Sequence, residues 1–410
     1  MSAGRFIATR LAQGGERWSR TSNTIAWISV ALSVAIMIIA IAVVAGFKHE
    51  IRSRVTGFMG SVMLVQPGQS PINELYPFTE RLSYRERVLE EPWVTGFDGV
   101  AWRSGLIKTD ENIDGLYFKG VDSLYDLRFF RDCLVDGELP DYHGRISNDI
   151  LLSRPTAQKL GFSVGDDVVT YFIGDEVKVR KFRLCGLYEA GLEEIDARMA
   201  LADRRQVQRL NGWAADEVSS IEIRMAPDAP IERCCDRLED IIIRTMEDDD
   251  PGLFVTHVKK LYGHLFDWLA LLDFNVLMIL ALMVVVAGFN MISALLIILF
   301  EKISAIGLLK ALGMTSPEVG KVFLLRAGRL VAKGMLWGNV VGISLCLLQK
   351  WTQAIKLDPG SYFVNAVPID LNIGQLILLN ICAAALLMLL ISIATRFIAR
   401  ISPDRTMRVE

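Results

Sequence analysis

Cysteine and histidine are scarce in this chain, and the catalytic signatures built on them are missing. Six cysteines and four histidines are spread over 410 residues. No C-x-x-C pair occurs, and His49-Glu50 has no second histidine four residues on from the first, which excludes a zinc-protease helix of the H-E-x-x-H kind. His257 and His264 share a helical face at best and read as unrelated surface residues. No G-x-x-x-x-G-K-[ST] occurs either, so the chain holds no ATP through a P-loop. The acidic run Glu247 to Asp250 lacks the spaced oxygen ligands of a calcium loop and reads as a solvated turn. Cys133, Cys185, Cys234 and Cys235 lie in the polar part of the chain, Cys346 and Cys382 in apolar runs. This pattern favours free buried thiols over a disulfide, for which Cys133 and Cys185 would be the partners. The expectation is a chain that is not an enzyme, with no catalytic set, no metal and no cofactor of its own.

What is abundant is apolar sequence. Hydrophobic residues make up 52% of the chain and the mean hydropathy is +0.34. Four apolar runs stand out, at 24–47, 269–300, about 330–350 and 375–399. Each approaches or exceeds the roughly 20 residues that a membrane-spanning helix needs. The first is longer than the apolar core of a cleavable signal peptide, which is about 7–15 residues. Between the first two lies a polar block long enough for its own core. The expected fold is therefore an α-helical membrane protein with four transmembrane helices and a large α+β domain inserted between helices 1 and 2. By segment, the reading is a tail (1–23), helix 1 (24–47), the domain (48–268), helix 2 (269–300), a cytoplasmic coupling helix and turn (301–316), an interfacial segment with helix 3 (317–350), a short loop (351–374), helix 4 (375–399) and a tail (400–410).

Charge orients these segments. Residues 48–268 carry 28 Lys+Arg against 39 Asp+Glu, a net charge of −11, whereas the remainder carries 16 against 8, net +8. Basic residues flank the spans at Arg5, Arg10, Arg17 and Arg20, at Lys302, Lys310 and Lys321, and at Arg396, Arg400, Arg405 and Arg408; the 351–374 loop has only Lys356. By the positive-inside rule both termini and the 301–321 turn face the cytoplasm, and the acidic domain faces outward.

The stretch 269–321 reads as the organising element. Its apolar part has one acid, Asp273, with Asn275 and Asn290 its other strongly polar side chains. A proton relay wants ionisable groups at mid-membrane, which disfavours a secondary transporter. The following segment is amphipathic, with Ile303, Ile306, Leu309 and Leu312 on one stripe and Glu301, Lys302 and Lys310 elsewhere. Gly313 supplies a left-handed stop, and Ser316-Pro317-Glu318 reads as an N-cap, a proline at the first helical position and an acid in the first turn. A long helix ending in a short surface helix suits a lever. In the third span Arg326, Arg329 and Lys333 mark the cytoplasmic interface, and Gly334, Gly338 and Gly342 form a ladder suited to close helix packing.

The polar block mixes strand-like runs at 62–66, 93–97, 115–121, 167–173, 177–188, 218–225 and 253–258 with helical patterns at 153–161, 203–211 and 230–247. No repeat or low-complexity tract occurs.

The turn EKISAIGLLKALGMTSPEV, set after one span and a large outside domain, resembles the MacB/FtsX-like permeases, and within them the LolC/LolE-type lipoprotein-releasing permeases. FIATRLA, VVAGFKHEIRSRVTGFMG, LYFKGVDSLYDLRFFRDCLVDGELP, DPGSYFVNAVPIDLN and ISPDRTMRVE are similar to that group. The resemblance implies an ATP-driven complex in the cell inner membrane that extracts lipoproteins for a periplasmic carrier. It implies as partners a cytoplasmic LolD-like ABC ATPase that holds ATP and Mg, a second permease subunit, the lipoproteins and a LolA-like carrier, and no nucleic acid. The coupling residues would be Glu301, Lys302, Ile306, Leu309, Lys310, Ala311, Leu312 and Gly313. Acyl chains would enter between spans one and two, with Val44, Phe47, Met278, Met283, Val286 and Phe289 as entrance candidates. A MacB-like drug or peptide exporter and an FtsX-like regulator of a cell-wall hydrolase are the rival readings. The exporters usually carry a fused ATPase and the regulators are typically shorter.

Overall fold

The computed structural model describes residues 17–109, 112–174, 176–192, 196–226, 229–301, 313–357, 362, 364 and 366–399. They fall into two compact units, one being His49–Trp268 with residues of 357–365, the other the remainder.

The α+β unit is built on strands β1 (Val62–Val65), β2 (Phe78–Thr79), β3 (Val94–Lys108), β4 (Ile113–Val121), β5 (Leu134–Gly137), β6 (Asp149–Ser153), β7 (Asp167–Phe172), β8 (Lys178–Tyr188), β9 (Met199–Asp203), β10 (Glu217–Val218), β11 (Ser220–Met225) and β12 (Phe254–His257). The long β3 serves two neighbours in turn: Val94 to Val100 pair with β11, and Ala101 to Lys108 pair with β4. From β4 the pairing passes through β9, β6, β8 and β7 and returns to β3 at Leu106 and Ile107. Six strands thus close into a ring with no free edge, narrow enough for side chains to fill. Alternation along the strands sends Leu116, Phe118, Val168, Phe172, Phe182 and Leu184 inward. The Phe118 ring lies 5.2 Å from that of Phe172 and 5.4 Å from that of Phe182. Gly105 makes room for them, since a Cβ there would meet Phe172 and Thr170 at 2.8 Å. β11, β1 and β12 extend the other half of β3 as antiparallel neighbours.

Short helices are set by their caps. Ser153 accepts from the Thr156 N–H to start Arg154–Leu160, and Gly161 ends it at φ 77°. Asp203 starts Arg204–Asn211 and Gly212 ends it, also at φ 77°. A side-chain acceptor at the first position and a glycine past the last satisfy backbone groups that the helix leaves unpaired. All six cysteines are free thiols.

Among the described residues four helices are long and apolar enough to cross a membrane: Arg17–Met59, Gly263–Glu301, Ser316–Thr352 and Ile373–Ala399. They pack through Val30, Val34 and Ile38 of the first, Val284, Ala287 and Met291 of the second, Ala327 and Val331 of the third, and Ala383, Leu387 and Ile391 of the fourth. The Gly334, Gly338 and Gly342 ladder faces the first helix. A Cβ at Gly334 would lie 2.7 Å from Val30 Cβ, one at Gly338 2.7 Å from the Ala31 carbonyl oxygen, and one at Gly342 3.1 Å from Ala35 Cα. Asn339 and Asn380 exchange amide hydrogen bonds of 2.7 and 2.9 Å between the third and fourth helices. Lys333 sits 4.5 Å over the Trp27 ring. Gly338→Leu is expected to force the first and third helices apart at a cost of about 3 kcal/mol or more, because backbone rather than a mobile side chain occupies the space. Thermal unfolding of the detergent-solubilised chain measures it; an unchanged midpoint would exclude the contact.

The third long helix departs from expectation at its start. Thr315, not Ser316, is the N-cap. Thr315 holds the extended backbone, and its side chain and that of Glu318 form a reciprocal capping box. Glu318 stands three residues after Thr315, which fixes the register of the box.

Candidate functional site

The first two long helices part company along their length. In the C-terminal half of the second, Val284, Ala287, Gly288, Met291, Ala294 and Leu295 form a buried stripe at helical spacing. In its N-terminal half Leu265 and Leu269 are buried, but from Ala270 to Leu282 no residue is. The helices are tied at two levels. Asn290 Nδ2 donates to Ser29 Oγ at 2.5 Å, and towards the other end of the pair Lys48 forms an ion pair with Asp273. Of the entrance candidates, Met278, Val286 and Phe289 are 57%, 38% and 67% exposed. Phe47 is buried, Val44 is half-buried, and Met283 is half-buried against the helix core. The structure therefore divides these six between an open face and the packed seam beside it.

The coupling candidates Lys302, Ile306, Leu309, Lys310, Ala311 and Leu312 lie outside the described residues. Glu301 ends the second long helix. Gly313 has φ 97° and open space around its Cα, the left-handed geometry a helix stop requires.

One feature of the α+β unit escaped sequence reasoning. The hairpin of β7 and β8 ends in apolar side chains turned to solvent: Ile173, Val177 and Val179 are 59%, 63% and 46% exposed. Arg103 Nη2 donates to the Ile173 carbonyl at 2.9 Å, and its Nε lies 3.8 Å from Glu74. Glu74 in turn accepts from the Ser104 N–H at 2.7 Å. A groove of about 510 Å³ beside the tip is lined by Leu106, Tyr117, Tyr171, Ile173 and Arg198 among others. Solvent-facing apolar groups on a braced hairpin mark an interaction surface. The available signal was Tyr171-Phe-Ile-Gly, an apolar run carried into the turn itself.

Beneath the sheet lies a buried charged cluster. Lys119, fully buried, approaches Glu222 Oε1 at 2.8 Å and the Tyr125 hydroxyl at 2.9 Å. It also donates to the Phe58 carbonyl, near the end of the Arg17–Met59 helix. The Tyr125 hydroxyl donates to Glu222 at 2.9 Å. Burial lowers the Lys119 pKa, with Glu222 opposing, and raises that of Tyr125 well above its ordinary value. Arg224 pairs with Asp98 at 2.9 Å, yet burial still lifts the Asp98 carboxyl to about 6. Arg52 and Arg54 hold the same helix end by donating to the carbonyls of Ala229 and Ala190.

Asp196 has a related environment. One carboxylate oxygen accepts from the Ala190 and Gly191 N–H groups, the other has no partner among the described residues, and burial raises its pKa to about 6. A folded-state pKa above the unfolded one means that the folded chain holds the proton more tightly. The resulting stability is full below about pH 4 and is lost as pH rises through about 6. Asp196→Asn keeps the acceptor, so it is expected to flatten this dependence and raise stability at pH 7.5 by about 2 kcal/mol. Unfolding midpoints at pH 5 and 7.5 check it; an unchanged slope would contradict the assignment.

Among the described residues no group of three His, Cys, Asp or Glu side chains is placed to hold a metal ion. What the arrangement offers is a bundle of long apolar helices, the second exposed from Ala270 to Leu282, and an α+β unit with a braced apolar hairpin tip. Residues 24–241 match the family described as MacB-like periplasmic core domain, and residues 277–403 match FtsX-like permease C-terminal. The first match spans more than half of the sequence, and the chain belongs to the MacB-like periplasmic core domain family. It is 22% identical over 400 residues to the lipoprotein-releasing system transmembrane protein LolC of Xylella fastidiosa (strain Temecula1), covering 93% of this chain and 92% of that one. It is 24% identical to LolC of Neisseria meningitidis serogroup B over 92% of this chain and 89% of the relative. With LolE of Haemophilus influenzae the identity is 20%, over 88% and 87%.

Proposed function

We propose that this chain is the membrane permease subunit of an ATP-driven complex that lifts lipoproteins from the outer leaflet of the inner membrane and passes them to a periplasmic carrier. The observation that carries this reading is the end-to-end match to lipoprotein-releasing system proteins, in which membrane helices and polar domain align together. In this reading both termini and the 301–316 turn are cytoplasmic and the α+β unit is periplasmic, which the distribution of basic residues supports. The 301–313 segment engages a separate LolD-like ATPase, which supplies ATP and Mg. A second permease copy or relative completes the acyl-binding seam between the first two helices. The apolar side chains Met278, Val286 and Phe289 on the open face suit acyl chains, methionine by its adaptability. The β7–β8 tip, with Ile173, Val177 and Val179, is the surface we assign to a LolA-like carrier. Isolation of the detergent-solubilised complex tests the whole reading. It should bring down an ABC ATPase, a second permease chain and acylated lipoproteins. Recovery of a cell-wall hydrolase, or of an ATPase with no lipoprotein, would replace it with the regulator or the exporter reading.

A further inference from the structure

We propose that Lys48 and Asp273 form a charged latch across the outer mouth of the seam between the first and second long helices, a latch that opens to admit the polar head of an acylated polypeptide. The proposal rests on the seam being the acyl entrance. Lys48 is the first charge after the apolar run 24–47, and Asp273 is the one acid within 269–300. Their ion pair bridges the helices within the stretch of the second helix, Ala270 to Leu282, that buries no side chain between Leu269 and Val284. Deeper, the buried stripe from Val284 and the Ser29–Asn290 bond hold the helices together.

The exposure of the pair fits a contact that breaks and reforms. The two side chains are 40% and 55% exposed, and an ion pair so open to its surroundings is weakly held. A buried pair such as Lys119–Glu222 could not be separated without a large penalty. At the edge of a bilayer the separated charges still need partners. The ester and amide carbonyls of a diacylglyceryl-linked chain terminus would accept from the Lys48 ammonium, and its amide N–H groups would donate to Asp273. Below the pair, Phe274, Leu277 and Met278 are exposed on the second helix, and would meet the acyl chains.

The test uses the assembled complex with its ATPase, reconstituted with lipoprotein and carrier. Lys48→Cys with Asp273→Cys, tied by a short reducible bis-thiosulfonate, is expected to lower release at least tenfold and to recover on reduction; reagent-treated wild type is the control. A photoreactive side chain in place of Met278 should crosslink lipoprotein without ATP at least threefold more in Lys48→Asp, where two acids face each other. The exchange Lys48→Asp with Asp273→Lys should return the crosslink to the wild-type level. Equal membrane levels and equal ATPase content exclude misfolding as the cause. Normal release by the bridged form, or equal crosslinking in all forms, overturns the latch and leaves the entrance standing. No lipoprotein crosslink at Met278 in any form overturns the entrance, and the latch with it.

Discussion

Leu309→Asp is expected to strip the ATPase from the complex while the chain itself remains in the membrane at normal level. Leu309 belongs to the amphipathic stripe of Ile303, Ile306 and Leu312, beyond the apolar run that ends at Phe300. Membrane insertion is decided by that run, so a charge nine residues later leaves it intact. A carboxylate placed in a desolvated protein contact costs several kcal/mol, and every 1.4 kcal/mol is about tenfold in affinity. The loss of co-purifying ATPase should therefore exceed a hundredfold, with lipoproteins retained in the inner membrane. Lys302 in the same segment should matter less, since an exposed ion pair contributes about 0–1 kcal/mol. Quantifying ATPase against permease in affinity-isolated complex decides the matter. An unchanged ratio would remove the 301–313 segment from the coupling role.

Lys119→Met should be the most damaging single change in the α+β unit. The ammonium neutralises Glu222 and satisfies the Phe58 carbonyl in a site without water access. Removing it leaves Glu222 with the Tyr125 hydroxyl but no counter-charge, and the Phe58 carbonyl without a donor, a loss of about 3–5 kcal/mol. Lys119→Met combined with Glu222→Leu and Tyr125→Phe removes the orphaned carboxylate and hydroxyl along with the charge, and leaves only the Phe58 carbonyl without its donor. That triple variant should recover at least about 2 kcal/mol, because an apolar replacement of a whole buried ionic group is often near neutral. Urea unfolding of the solubilised full chain, followed by near-ultraviolet dichroism, separates the two. A single variant within about 1 kcal/mol of wild type would show that the cluster does not hold the domain.

The membrane helices were legible because their signal is length and apolarity, which no tertiary contact needs to supply. The glycine ladder was legible for a related reason, since three glycines at a spacing of four share one helix face. Most strands announced themselves by alternation, as in Asp167–Phe172. β6 and β9 did not: Asp-Ile-Leu-Leu-Ser and Met-Ala-Leu-Ala-Asp are buried on both faces in the ring and so show no alternation. Closure of the ring depends on β7 returning to β3 across more than sixty residues of chain, a pairing that no local pattern encodes. The Lys119–Glu222 pair is likewise long-range, and each residue taken alone looks like a surface charge in a strand. A Ser before Pro is a strong local cap signal at Ser316, yet Thr315 prevails through its partnership with Glu318.

Release of pulse-labelled lipoprotein from spheroplasts depleted of this chain tests the central claim most directly. With the chain, its ATPase and added periplasmic carrier, labelled lipoprotein should leave the membrane as a soluble complex. Without the chain it should stay in the inner membrane, and release should return when the chain is restored. Undiminished release after depletion, with lipoproteins correctly sorted, would contradict the assignment.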